Sequence, residues 1–563
     1  MHSMMDRKYY PTGTYDFKAM VSGCYFFVDK TLMIRDLCCL RNTTLLYTRP
    51  RRFGKTTNLS MIDYFFNMRY ADGEDIFRGL KIDGCPQCRQ HRNAYPVVRM
   101  NFGRLDSTDP AMFRRSMAMM LSDAVDPFLH LTEAGIDGSD AEFIRRCFES
   151  NMDDSEMDGS VGRLCRILAS FHGKDVIILV DEYDACIQTL RSRDSIDRIA
   201  GLLRPFLEQT FKHNDHLHLG IVAGIMPLAR TGTLSSFGSV SVRSILDAED
   251  AEYFGFTEHE VEDLLACTGN TPEKMTEIRE LYDGYSFGGV DVYNPYTVMM
   301  YLENHCRLLS YWNNMTGGSL SEDLVAGMGT EALITLKNLY QNPGSTIRTP
   351  IDMGVVYADA ISAPADPSVT YSFLAMAGYL NATYIRNMDD GIPECDVSIV
   401  NREVSFAFKS LLERATYAGR VAVSAMDAVY SCNPALLGRY LTEMLEGISM
   451  DRTWSQDEDP TLRHNKYRDI IMAYLVTPDS VAREELPKGY GRTDIFFERS
   501  GDNPPVVMEI KTTVDRTRDL GSLAEEALGQ IDLKGYADEP GAQDAIRVGV
   551  AVRQKTAEVR ISR

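Results

Sequence analysis

The chain alternates between short runs of consecutive apolar residues and longer stretches whose apolar positions recur every three or four residues. Residues 45–47, 95–102, 176–180 and 217–223 are of strand length and almost free of charge. Such runs are expected where a strand is buried on both faces of a parallel sheet. Between them, Leu59, Ile62, Phe65 and Phe66 fall at helical spacing, and further helical blocks follow at about 110–131 and 193–212. A strand-like YFFV at 25–28 precedes a helical LMIRDLCCL. The acidic, Gly/Ser-containing stretch 149–162 reads as a surface connection. Strands alternating with helices predict right-handed crossovers and a three-layer α/β sandwich.

From about 249 the period becomes helical, with breaks at Gly284, Gly288-Gly289 and Pro295. Helical and mixed segments continue to about 445, interrupted by loops at 361–368 and 387–393. The last stretch changes again. It predicts a helix at 464–475, a turn at 488–491, strands at 493–498 and 505–511, a helix at 523–536 and a final strand at 546–552. The expected organisation is therefore 1–245 as an α/β domain, 246–440 as a mostly helical lid or adaptor, and 441–563 as a smaller α/β domain.

Composition narrows the function class. A chain of 563 residues is too long for one core. With 44% hydrophobic and 25% charged residues it resembles a soluble globular protein. A net charge of −21 argues against a surface built for nonspecific DNA binding, but leaves room for a local basic groove. No apolar run reaches a membrane span and the first residues lack a signal-peptide core, so a cytoplasmic protein without a membrane partner is expected. Twelve scattered Cys suit a reducing compartment. Cys85 and Cys88 with His91 make half of a zinc site, but no second half complements them. A turn closed by Gly84 and Pro86 is the expectation.

The candidate chemistry begins after the first apolar run, in Gly54-Lys55-Thr56-Thr57. A strand, a GK[ST] loop and a helix form the layout of a phosphate-binding P-loop. Backbone N–H groups and the helix N-terminus cradle the phosphates, Lys55 reaches the β/γ-phosphates and Thr56 ligates Mg²⁺. The pattern asks for Gly five residues before Gly54, and Arg49 stands there. The run VIILV then ends in Asp181-Glu182, 125 residues beyond Thr56. An acid at the end of a buried strand can hold the same Mg²⁺, here Asp181 through water, and the next acid, Glu182, can polarise the attacking water. After the following strand stand Ala223 and Met226, with no polar sensor. Arg230 can sense the γ-phosphate or simply be a solvated helix-start Arg.

Asp494, Glu509 and Lys511 form a second constellation, D-x₁₄-E-x-K. Glu509 and Lys511 are two apart on a strand and so share a face. Two carboxylates from neighbouring strands can hold Mg²⁺, and the Lys can orient water or offset developing charge. The bland alternative is an exposed edge strand with alternating charge.

These motifs together resemble a known family: bacterial and archaeal AAA-ATPase-like proteins with a C-terminal PD-(D/E)xK nuclease-like domain. The resemblance rests on Pro11-x-Gly13-x-x-Asp16-Phe17, Phe27-Val28-Asp29-Lys30-Thr31 and above all Arg49-Pro50-Arg51-Arg52-Phe53-Gly54-Lys55-Thr56. It continues through Tyr282-Asp283-Gly284-Tyr285-x-Phe287, Tyr293-Asn294-Pro295-Tyr296-x-Val298, Tyr311-Trp312, Asn401-x-Glu403-Val404 and Gly489-Tyr490-Gly491-Arg492-x-Asp494. It implies that Arg49 is how this P-loop is written, and that Asp29 and Lys30 lie near the nucleotide. It implies a restriction-endonuclease-like α/β domain of αβββαβ order at the C-terminus, with Gln530 and Tyr536 among its motif positions. Two departures stand out. Ala223 and Met226 replace the family's more usual Thr and Ser/Thr, and His464 occupies the place of a helix Glu, which puts one metal ligand in doubt.

The expected cofactors are ATP and Mg²⁺, and the expected partners are nucleotide and DNA or RNA. One hypothesis is an ATPase that gates a Mg²⁺-dependent nuclease. The other is a nucleotide-dependent switch whose nuclease-like domain binds without cutting. An arginine offered in trans by Arg51, Arg52 or Arg230 would imply a homo-oligomer.

Overall fold

The apolar run ahead of the P-loop becomes β1 (Thr43–Thr48), and its neighbours in the chain become β2 (Val97–Asn101), β3 (Val176–Asp181), β4 (Leu217–Gly224) and β5 (Val240–Arg243). All pair in parallel, in the order β2-β3-β4-β1-β5. Every residue of β3 is buried, as a central parallel strand demands. Each of its Ile and Leu side chains gains about 1.5–3 kcal/mol over exposure. Since the strands are parallel, all the loops that follow them open at one edge of the sheet. That edge carries the P-loop and Asp181-Glu182.

The computed structural model describes residues 8–188, 190–228, 232–312, 330–362, 366–389, 391–415, 425–447, 460–475, 482–488, 491–499, 503–536, 542 and 544–563. Two compact units emerge, Met1–Leu320 with Gly344–Ala407, and Ser321–Pro343 with Phe408–Arg563. Most of the stretch expected as a separate helical middle region thus belongs to the first unit. Besides its helices, that mostly helical stretch carries strands. It holds the hairpin β6 (Tyr285–Phe287) and β7 (Val290–Val292) and an antiparallel sheet of β8 (Ile347–Pro350), β9 (Leu380–Asn387) and β10 (Pro393–Ile399), ordered β8-β10-β9.

Two local expectations fail in the first unit. The stretch 149–162 is no loose connection: a helix, Asp154–His172, begins inside it, capped by Asp153, which accepts from the Glu156 N–H. Its Gly162 earns its place by packing, because a Cβ there would lie 3.0 Å from the Gln209 carbonyl oxygen. At 25–28 only Tyr25 pairs, in an isolated bridge to Tyr9. Phe26 and Val28 pack against the core of Phe256, Tyr293 and Tyr301, and the Phe26 N–H donates to the Tyr9 carbonyl at 2.9 Å.

The second unit is built on β11 (Ala482–Lys488), β12 (Gly491–Phe497), β13 (Val506–Thr512), β14 (Ile546–Arg553) and β15 (Thr556–Ser562), in that order. Only β13 and β14 pair in parallel, across the helix Leu520–Lys534. The strand β15 was not expected after β14, although Ala557 and Val559 alternate inward. Register sorts β13. Val506, Met508 and Ile510 enter the large core with Tyr467 and Ile471, while Val507 packs with Phe496 and Ile531 on the other face. Glu509 and Lys511 follow Val507 on that second face.

Candidate functional site

The P-loop turns on Gly54, whose φ of +79° only glycine adopts freely, and the helix Lys55–Phe66 starts immediately behind it. Lys55, Thr56 and Thr57 line a cleft of about 710 Å³. The Lys55 Nζ donates to the Arg49 and Pro50 carbonyls at 2.8 and 2.7 Å. Burial pulls its ammonium down to about 8, opposed by Asp184 and Asp181.

Asp181 and Glu182 line the same cleft. Asp181 is 2% exposed; its Oδ1 accepts from the Glu182 N–H at 3.0 Å, whereas Oδ2 is buried without a hydrogen-bond partner. A buried, unsatisfied carboxylate oxygen beside a P-loop hydroxyl is what a bound divalent cation would complete, so Thr56 and Asp181 fit Mg²⁺. Glu182 is exposed at a φ of +52°, a costly conformation for a side-chain-bearing residue. Partial desolvation at the cleft wall, then neighbouring Asp181, push its carboxyl above the ordinary value.

Three residues that sequence reasoning left without a role complete this edge. A Cβ on Gly103 would sit 1.7 Å from the Glu182 Oε2, so the bare glycine makes the space for the acid. Asn101, at the end of β2, accepts the Gly103 N–H at 2.7 Å. Asp184 is 1% exposed, and its Oδ2 accepts from Ile225 N–H at 2.9 Å, Met226 N–H at 2.7 Å and Gln188 at 2.5 Å. The segment after β4 is therefore held through its backbone N–H groups by the Asp184 carboxylate. Gly224 is required there, because a Cβ would lie 2.5 Å from Asp184 Oδ1.

The basic residues of the loop separate into different jobs. Arg49 is fully buried and does not line the cleft. Its Nη1 donates to the Thr48 and Arg243 carbonyls, and its guanidinium lies 5.0 Å from the Phe287 ring and 5.6 Å from Phe254. It braces the loop from behind, so the side chain of this candidate cofactor-binding residue stays outside the cleft lining. Arg51 and Arg52 do line the cleft; Arg52 donates to the Tyr15 hydroxyl and stacks 4.8 Å from the Tyr296 ring. Asp29 is also absent from the lining. It closes its own turn by accepting from Thr31 and from the Lys81 N–H at 2.7 Å. Lys30 lines the cleft but is paired to Glu260. Arg230 lies outside the described residues. Part of the remaining wall is apolar, with Phe26, Tyr253, Phe256 and Met299 prominent, a surface suited to a flat base.

With this geometry in place, residues 11–234 match the family model described as Predicted AAA-ATPase, AAA-ATPase-like. These residues form an AAA-ATPase-like domain, a domain class that binds nucleotide. A curated relative, "Uncharacterized protein in vnfD 5′ region" of Azotobacter chroococcum mcd 1, is 27% identical over 318 residues, covering 55% of this chain and 54% of its own. The chain spans about half the length of this curated relative. Among solved structures, the Aeropyrum pernix ORC1 protein in complex with DNA matches at a TM-score of 0.29 and 12% identity, covering 72% of this chain and 98% of that one. A Signal Transduction ATPase with Numerous Domains protein with a tetratricopeptide repeat sensor, from Pyrococcus horikoshii, matches at 0.22 and 14%, covering 80% and 52%. No helix among the described residues is long and apolar enough to cross a membrane.

In the second unit, the sequence-predicted residues converge. The Asp494 Oδ2 accepts from the Ile510 N–H at 2.7 Å and its Oδ1 lies 3.0 Å from His464 Nε2. Gln530 donates to Glu509 Oε1 and accepts from Lys511 Nζ at 3.0 Å, so one amide ties both motif residues together. Glu509 Oε2 is buried without a partner, and burial followed by Asp494 raises its carboxyl to about 8. Tyr536 is not at this cluster's polar core; it is 2% exposed and packs with Phe496, Val507 and Ile531. No group of three or more His, Cys, Asp and Glu poised for a metal ion occurs among the described residues. Asp494 and Glu509 offer two carboxylates, and the free Oε2 fits a divalent cation. Gly489 and Tyr490 lie outside the described residues. Near the other Cys motif, His91 is committed to Tyr95, Nδ1 to hydroxyl 2.7 Å.

Proposed function

We propose that the chain is an ATPase that couples nucleotide hydrolysis to a Mg²⁺-dependent PD-(D/E)xK-type nuclease acting on nucleic acid. The observation that carries the ATPase half is the unsatisfied Asp181 Oδ2 in the cleft that also holds Lys55, Thr56 and Glu182. Mg²⁺ bound by Thr56 and Asp181 would offset phosphate charge. Lys55 leaves two loop carbonyls when a phosphate offers a stronger, charged acceptor. Glu182, with its carboxyl raised and space provided by Gly103, orients water and receives its proton. The apolar wall excludes solvent and holds the base.

The nuclease half is supported by the hydrogen-bonded chain Glu509–Gln530–Lys511 beside Asp494. Asp494 and Glu509 would hold the cation, and Lys511 would stabilise charge on the scissile phosphate. A second reading, a switch whose nuclease-like unit binds without cutting, is favoured by one observation: His464 occupies Asp494 Oδ1. ATP hydrolysis measured for wild type, Lys55→Ala and Glu182→Gln tests the ATPase half. Loss of binding in the first and of turnover alone in the second is expected. Undiminished hydrolysis by both would end the proposal.

A further inference from the structure

The edge of the parallel sheet opposite the P-loop gathers a different set of side chains. Arg41 stands two residues before β1, Tyr95 two before β2, Lys174 two before β3, and His216 one before β4, with His218 at its second position. Four chain segments, remote in sequence, thus bring these groups together, and with Arg166 and Asp175 they line a second cleft of about 630 Å³.

Its charge is unbalanced. Arg166 has a carboxylate in Asp140, 2.8 Å away, and His216 Nδ1 lies 3.8 Å from Asp175. Arg41 and Lys174 make no ion pair among the described residues. The Lys174 Nζ lies 5.9 Å from the Tyr95 ring centroid, and that ring stacks on His218 at 4.4 Å. Burial lowers His218 first, and repulsion from His91, Arg41 and Lys174 lowers it further. The C-terminus of the helix Asp154–His172 favours a cation beside it but not five cationic or protonatable groups against one lining carboxylate. In a chain of net charge −21, a concavity that gathers two unpaired cations beside two imidazoles is a local positive patch that attracts an anion.

We propose that this cleft is a phosphate-binding site separate from the nucleotide cleft, in which Arg41 and Lys174 supply fixed charge and His216 and His218 offer ring nitrogens as hydrogen-bonding groups. The groups facing the two imidazoles are Arg41, Arg166, Lys174, Asp175, Tyr95 and His91. A bound phosphate offsets the repulsion among the cations of this cleft. The phosphate can be inorganic or part of a nucleic acid, and the chemistry of recognition is the same.

The test uses full-length protein carrying Lys55→Ala, so that the nucleotide cleft does not compete, with inorganic phosphate titrated by calorimetry at pH 6 and pH 8. Arg41 and Lys174 are both exposed, so Arg41→Glu/Lys174→Glu leaves the core intact, which unchanged circular dichroism and thermal melting would verify. Expected are phosphate binding at both pH values and a loss of about tenfold or more in the charge-reversed protein. No phosphate binding at either pH, or equal binding after charge reversal, overturns the proposal. Oligonucleotides of one sequence, with and without a 5′-phosphate, then compete for the site. Displacement by the phosphorylated strand alone assigns a terminal phosphate, by both a backbone phosphate, and by neither the free ion.

Discussion

The nucleotide cleft and the acid cluster of the second unit each keep one buried carboxylate oxygen without a partner, yet they are poised differently. At the cleft, the unsatisfied Asp181 oxygen opens onto about 710 Å³ of space, and the nearby cation, Lys55, rests on carbonyls it can leave. Around Glu509 the polar groups other than its Oε2 already satisfy one another. Gln530 holds both Glu509 and Lys511, while Asp494 is engaged by His464 and the Ile510 N–H. Burial and then Asp494 raise the Glu509 carboxyl to about 8, which disfavours its charged form. The first arrangement waits for a ligand; the second must take on a disfavoured charge and surrender a hydrogen bond before it takes a cation. Pre-organisation lowers the cost of binding in one and raises it in the other.

The comparison breaks most visibly at Glu182. Glu182→Gln is expected to lower ATP turnover by roughly 10²–10⁴-fold while leaving ATP affinity nearly unchanged, measured by steady-state hydrolysis and equilibrium binding. Gly103→Ala comes next. Its methyl group claims the position of Glu182 Oε2, and displacing a catalytic carboxylate by about 1 Å costs on the order of 10²-fold in turnover, with little change in melting temperature.

The second site responds through stability and pH. The folded pKa of Glu509 lies above its ordinary value, so the folded state binds more protons than the unfolded state. Its contribution to stability is therefore present below pH 4.5 and lost progressively as the pH rises through about 8. Glu509→Gln removes that loss and should gain on wild type as pH rises, by at most about 1.4 kcal/mol per pH unit, in chemical denaturation followed across the range. Equal pH dependence of the two proteins would mean that the carboxyl is already ionised. The smallest effect is expected from His464→Glu, which adds a carboxylate beside Asp494 and should tighten Mn²⁺ binding several-fold in calorimetry.

Much of the parallel sheet was legible because its strands are buried on both faces and therefore apolar throughout. GKT and VIILVDE were equally plain, since residue type at a strand end is the chemistry itself. Gly103 was not: its importance comes from adjacency of β2 to β3, and nothing local in FGR marks it. Arg49 shows the opposite failure. A basic residue in a P-loop suggests phosphate contact, but this guanidinium turns back onto two backbone carbonyls and two aromatic rings. The helix at 154–172 was hidden by acidic and small residues that serve as its cap and its packing surface. In the second unit, the shared face of Glu509 and Lys511 followed from strand periodicity. Gln530 as the amide joining them required the helix to be placed above that face.

The most direct test of the coupled reading is cleavage of single- and double-stranded DNA and RNA in Mg²⁺ or Mn²⁺, with and without ATP, by wild type, Glu509→Ala, Lys511→Ala and Lys55→Ala. Cleavage that requires Glu509 and Lys511, and that responds to ATP only while Lys55 is present, is the predicted result. Equal cleavage by wild type and both second-unit variants, or no cleavage of any substrate with either metal, would contradict it.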